Sequence, residues 1–133
     1  MKRNILAARI RRNQLDKLSG NCYIEEQSQI IKHLNDINKN ALVGIQRADG
    51  VYTIIGSENV YYSMSSGTEG KIVIGDFLNI LGTNAMRLGK KAKYEFVEIN
   101  DTDSIWVMNS EVMSALWNTL LLLNAWQLAG AKS

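Results

Sequence analysis

Near its C-terminal end the chain carries a helical run with no polar side wide enough to face water. Val112, Met113, Leu116, Trp117, Leu120, Leu121, Leu122, Leu123, Trp126 and Leu128 fall on every side of a helix. A helix that is apolar all round has to be covered all round. The stretch from Ala115 to Ala129 is interrupted by Asn118, Thr119, Asn124 and Gln127, and it falls short of the about 20 apolar residues a membrane span needs. A buried helix is therefore the stronger reading, starting with Glu111 behind a cap at Asn109 or Ser110 and running to about residue 128. In a chain of 133 residues, enough for one domain, one side of this helix can rest on a sheet. The other side needs either the N-terminal helices or a second subunit. The missing polar face favours a homo-oligomer joined through Trp117, Leu121 and Trp126.

The remaining elements follow from periodicity and turn chemistry. Residues 2–18 are rich in helix formers, but Ile5, Leu6, Ile10, Leu15 and Leu18 make a ragged stripe. Ser19-Gly20-Asn21 interrupts it. Asn21 can cap a second helix reaching about residue 39, with Ile24, Ile30, Ile31, Leu34 and Ile37 on one side. From Ala41 the pattern changes to short runs of Val, Ile and Tyr over 41–46, 51–55 and 60–64, and Asp49-Gly50 predicts a type I′ hairpin turn. A loop over 65–70 leads to a further short strand at 72–74. A helix capped by Asp76 follows, with Phe77, Leu78, Leu81, Ala85 and Leu88 on one side, Gly82 against the sheet, and Gly89 as its stop. Residues 93–99 and 104–108 read as strands around the turn Asn100-Asp101-Thr102-Asp103. The expectation is an α+β fold: an antiparallel sheet of about five or six short strands packed with helices, a basic N-terminal helical segment or arm over 1–20, and a single α+β domain over 21–133. From Lys71 to about Leu128 the order strand, helix, two strands, helix is similar to that of the histidine-containing phosphocarrier fold. The only histidine, His33, lies in a different element, so no activity is carried over from that resemblance.

No catalytic constellation is legible. The single cysteine, Cys22, offers neither an intramolecular disulfide nor a multi-cysteine metal site, and points to a reducing, cytoplasmic setting. Eleven helical residues would hold it about 16 Å from His33 along a shared helix, too far for a nucleophile–base pair. The N-terminal apolar run is broken by Arg9 before a signal-peptide core can form. Asp101 and Asp103 sit in a turn that lacks the calcium-loop pattern. No metal and no cofactor is expected.

What remains is charge. Arg87, Lys90 and Lys91 gather around a predicted helix end, where they meet the dipole favourably or bind an anionic partner. Ser66-Gly67-Thr68-Glu69-Gly70-Lys71 resembles a phosphate loop only loosely, since the GxxxxGK[ST] spacing is absent. Tyr61 and Tyr62 point to opposite faces of a strand, so at least one is a candidate to be exposed and to stack on a base or ring. The expectation is an oligomeric protein that binds rather than catalyses, taking a small anionic ligand such as a nucleotide at Arg87, Lys90, Lys91, Tyr61, Tyr62 and Lys71. One alternative is a nucleic-acid-binding regulator using Arg3, Arg9, Arg11 and Arg12, which sit in an N-terminal stretch with a single acid, Asp16, while the rest of the chain is net acidic. Another is an interaction or inhibitor protein acting through its hydrophobic surface.

Overall fold

The computed structural model describes residues 3–88 and 95–131. The basic start folds into two helices, α1 (Arg3–Asn13) and α2 (Leu15–Ser19), where one helix over 2–18 is expected. In a single straight helix Leu15 would point about 160° away from the side shared by Leu6 and Ile10. Gln14 breaks the helix at φ 61, and Leu15 turns into the core with 0% exposure. Two buried side-chain atoms near this junction, Asn13 Nδ2 and Asp16 Oδ1, have no hydrogen-bond partner.

The helix expected over 21–39 is also divided. A 3₁₀ turn at Gly20–Cys22 leads to β1 (Tyr23–Ile24), and α3 (Gln29–Asp36) follows after a turn. Tyr23 and Ile24 pair with Ile45 and Gly44. Their aromatic and β-branched side chains suit a strand, and the pairing outweighs a weak helical preference. The helical stripe survives in α3, where Ile31 and Leu34 are buried. Its end is closed by Asn38 at φ 63, with Lys39 N–H donating to Leu34 O (3.0 Å) and Asn38 N–H to Asn35 O (3.1 Å). Asparagine here occupies the left-handed position usually held by glycine.

β1 joins β2 (Ala41–Gln46), β3 (Tyr52–Gly56), β4 (Asn59–Ser63) and β5 (Glu69–Val73) in a five-stranded antiparallel sheet, ordered as in the sequence. The turn at Asp49-Gly50 differs from expectation. Arg47 N–H donates to Val51 O (2.7 Å) and Gly50 N–H to Arg47 O (3.0 Å), and Gly50 alone takes a positive φ, 98. This is a three-residue loop closed by a left-handed glycine, because type I′ would need Asp49 at positive φ too. The β4–β5 loop repeats it, with Met64 N–H donating to Thr68 O (2.8 Å), Gly67 N–H to Met64 O (2.9 Å), and Gly67 at φ 89. β2 carries a bulge between Ala41 and Val43.

Strand alternation sorts the sheet residues between two faces. On the inner face Val43, Ile45, Ile55, Val60 and Tyr62 share one core with Leu6, Ile10 and Leu15, with Phe77 and Leu81, and with Leu116, Leu120 and Leu123. On the outer face Tyr52, Ile54 and Tyr61 pack with Ile31 and Leu34 of α3. α4 (Ile74–Leu88) follows β5 directly, which places Asp76 in its first turn rather than at its cap. Gly82 faces α5 (Ser110–Ala131) rather than the sheet: a Cβ added there would lie 3.4 Å from the Trp117 ring.

Among the described residues β6 (Phe96–Glu98) and β7 (Ser104–Trp106) pair only with each other, so the element order shared with the phosphocarrier fold does not extend to one sheet. Three contacts fasten this ribbon to the inner face. The buried Thr53 hydroxyl donates to Trp106 O, and the Tyr62 hydroxyl donates to Asp103 Oδ2 at 2.6 Å. The Arg47 guanidinium lies 5.8 Å from the ring centroids of both Phe96 and Trp106. It also binds Asp49 (2.7 Å) and holds that carboxyl down to about 2 by hydrogen bonding.

The Tyr62 contact predicts an alkaline dependence. Burial first, then the hydrogen bond and charge of Asp103, push its hydroxyl from 10.0 up to about 12. Since the folded value is the higher one, this contribution to stability is whole below pH 10 and is lost as the pH rises through about 12. Tyr62→Phe is expected to cost about 1 kcal/mol at neutral pH and to flatten part of the alkaline decline. Urea unfolding of both proteins at pH 7 and pH 11 measures it, and an unchanged pH dependence would exclude this contact as its source.

α5 begins where Asn109 Oδ1 accepts from Val112 N–H (2.9 Å), as its cap predicts. It packs against α4 and also against α1 and α2. The N-terminal helices thus supply cover that the apolar sequence demands. Leu121 (39%) and Leu128 (57%) stay exposed. Trp117 and Trp126 are half-buried against the core, and nine residues put them on opposite sides of the helix. Trp117, Leu121 and Trp126 therefore do not form one continuous contact face. Among the described residues no helix is long and apolar enough to cross a membrane.

Candidate functional site

The outer face of the sheet is only partly covered, because α3 has 8 residues and leaves the β4–β5 side open. There Tyr61 lies directly opposite Lys71 in the strand register, and the two share a cavity of about 350 Å³ with His33, Lys39, Tyr52 and Glu69. Each side chain is placed by a local feature. His33 and Ile37 are four residues apart and line the same cavity, as helical spacing dictates. The left-handed Asn38 returns the chain so that Lys39 O accepts from the Tyr61 hydroxyl (2.8 Å). The Lys39 ammonium meanwhile stands 5.7 Å from the centre of the Tyr61 ring, within cation–π range. Tyr52 projects from β3 onto the same face, and burial followed by the charge of Glu69 raises its pKa.

Among the described lining residues two lysines, Lys39 and Lys71, outnumber the one carboxylate, Glu69, so the local field favours an anion. The C-terminal end of α3 contributes an opposing partial charge of about half a unit, smaller than either lysine's full charge. Its Leu34 and Asn35 carbonyls are already occupied by the N–H groups of residues 37–39. The floor is aromatic, with Tyr52 5% and Tyr61 7% exposed.

No protein-family model matches this chain. Searches of curated proteins and of solved structures give no match either. The reading of the site accordingly rests on its own geometry.

Of the anion-site residues expected from sequence, Tyr61 and Lys71 come together among the described side chains. Tyr62 is 3% exposed on the inner face, so the expectation that Tyr61 or Tyr62 offers an exposed stacking ring is not met: both rings are buried, and Tyr61 reaches a ligand only through the cavity. Arg87 belongs to the last turn of α4, whose core residues pack on the inner face, while Lys90 and Lys91 lie outside the described residues. The loop over 66–71 is a hairpin turn running into β5, and its Gly67 N–H is committed to Met64 O rather than offered to a phosphate. In the turn Asn100-Asp101-Thr102-Asp103, Asn100 Oδ1 accepts from the N–H groups of Thr102 (2.9 Å) and Asp103 (2.8 Å). No group of three metal-ligating side chains occurs among the described residues. Cys22 and His33 line different cavities.

The N-terminal arginines are carried on a packed helix. Arg3 opens α1, Arg9 is half-buried, and Arg11 and Arg12 are exposed. Arg11 lines a different cavity beside Asp16, Glu25 and Glu26.

His33, Lys39, Tyr52 and Glu69 were not legible as site residues. The i and i+4 spacing of His33 and Ile37 was the one local signal. The other residues meet through sheet register and the reversal at Asn38, and neither leaves a sequence motif.

Proposed function

We propose that this protein binds a small anionic ligand with a flat or ring-shaped part, a nucleotide being one such molecule, in the cavity between α3 and the β3–β5 face. The observation that supports this reading is that Lys39 and Lys71 line one cavity with Tyr52 and Tyr61. The lysines suit a phosphate or carboxylate, and the tyrosines suit a ring. A volume of about 350 Å³ lies at the lower end of ligand pockets, about 300–1,000 Å³. Binding without chemistry fits a site with no nucleophile held against a base. A cytoplasmic setting, inferred from the single cysteine, belongs to the same reading. Self-association through the exposed Leu121 and Leu128 of α5 is a separate element of it, weakened now that α1 and α2 cover part of that helix.

Titration calorimetry at low salt with pyrophosphate, AMP and ATP tests the proposal. At least one should bind saturably. Lys39→Ala combined with Lys71→Ala should weaken it at least about tenfold, or about 1.4 kcal/mol, with little change in melting temperature. Absence of heat across the three probes, or affinity untouched by the double substitution, would remove the basis for this function.

The nucleic-acid reading has less support, because α1 is docked on α5 and Arg11 faces acids. If Arg11→Ala with Arg12→Ala, both at exposed positions, left a salt-sensitive affinity for DNA or RNA unchanged, these arginines would not be its source.

A further inference from the structure

A second cavity, of about 450 Å³, opens where α1 meets the β1–β2 corner of the sheet, and its chemistry is opposite to that of the first. Its floor is apolar. Leu6 (5%), Ile10 (5%), Leu42 (7%) and Val43 (6%) all line it, whereas neighbouring core residues that do not, Leu15 and Ile45, are 0% exposed. The small remaining exposure of those four residues marks the cavity wall. The β2 bulge explains how two successive strand residues share this floor. Ala41 pairs with Gly56 and Val43 with Ile55, so Leu42 is the extra residue, and it joins Val43 in the inner core while Ala41 packs on the outer face. Bulges commonly re-aim a side chain in this way beside binding sites.

The wall is acidic. Among the described lining residues, the carboxylates Asp16, Glu25 and Glu26 outnumber the cation Arg11. Asp16 Oδ1 is buried without a hydrogen-bond partner, which costs free energy, while the residue as a whole stays part-exposed where it lines the cavity. Tyr23, at the same wall, has its pKa raised by burial and then by the charges of Glu25 and Asp16, as expected for a negative local field.

We propose that this cavity binds a small amphipathic amine, its ammonium group donating to Asp16 and its apolar body lying on Leu6, Ile10, Leu42 and Val43. A ligand of this class meets the carboxylates of the wall and covers the apolar floor together. A neutral alcohol of the same shape lacks the charge, and a simple metal cation lacks the apolar part.

Hexylammonium and hexanol are the probes, used with the full chain at pH 7 and followed by calorimetry and by the methyl NMR signals of Ile10, Leu42 and Val43. Hexylammonium should bind saturably and at least about tenfold more tightly than hexanol, a difference of about 1.4 kcal/mol. Asp16→Asn should bring the amine down to the level of the alcohol. Ala7→Trp, at an exposed position lining the cavity, should block both probes while leaving the carboxylate and the core in place, and so keeps the test decisive even where Asp16→Asn fails to fold. Lys39→Ala with Lys71→Ala should have no effect, which separates this site from the anion cavity. Equal affinity for the two probes, amine binding that survives either Asp16→Asn or Ala7→Trp, or no saturable binding at all would overturn the proposal.

Discussion

Gly44→Ala is expected to lower the unfolding free energy by about 3 kcal/mol or more, read as a large fall in the urea midpoint. Gly44 pairs with Ile54 on the neighbouring strand, two residues from the bulge in β2. A Cβ there would lie 2.3 Å from Thr53 O and 2.7 Å from Ile54 Cα. Both obstacles are backbone, so no rotamer change relieves them, and the strands would have to separate at the centre of the sheet. The requirement is for space rather than for a left-handed backbone, since Gly44 is not among the positive-φ residues. Gly82→Ala is the matched opposite. The added methyl would make an ordinary 3.4 Å contact with Trp117, and alanine gains about 1 kcal/mol over glycine inside a helix, so its midpoint should rise. If both substitutions moved stability in the same direction, the close β2–β3 pairing described above would be wrong.

Leu15→Ala should cost about 2–5 kcal/mol, the range for emptying a buried leucine site. That is a large part of the about 5–15 kcal/mol that holds a domain folded. The effect is expected to be large because α2 has 5 residues, too few to be helical alone. Its order depends on Leu15 entering the core beside Ile10. Loss of that anchor also loosens the cover that α1 and α2 give to α5. Urea unfolding measures the stability change, and sedimentation velocity measures the exposure of α5, which should appear as self-association of the variant. A cost below about 0.5 kcal/mol, as at ordinary surface positions, together with an unchanged sedimentation profile, would make the N-terminal segment a peripheral arm after all.

The strands and the last helix were readable from sequence because their signals are local. Val43 and Ile45 alternate within a strand whose bounds, Ala41–Gln46, match the expected ones, and Asn109 caps α5 as its side chain predicts. The stretch over 21–39 was misread because Ile24 falls at helical spacing from Ile31, while its pairing with Gly44 depends on a strand twenty residues further on. Tyr62 misled for a similar reason. Alternation says correctly that Tyr61 and Tyr62 face opposite ways, but not that both faces are covered. Gly70, opposite Tyr62, leaves the room this ring occupies: a Cβ there would lie 2.6 Å from its Cζ.

For α5, the sequence by itself determined that the helix exists, where it starts, and that water cannot surround it, since helix caps and apolar spacing act within a few residues. Only the tertiary structure decided what covers it. The break at Gln14 turns Leu15 inward and brings α1 and α2 onto one part of α5, while Leu121 and Leu128 stay exposed. The same division applies to both cavities. Residue types set the charge each can carry, but which lysines or carboxylates meet depends on strand register, a bulge and a helix reversal, and these are settled by packing between segments far apart in the chain.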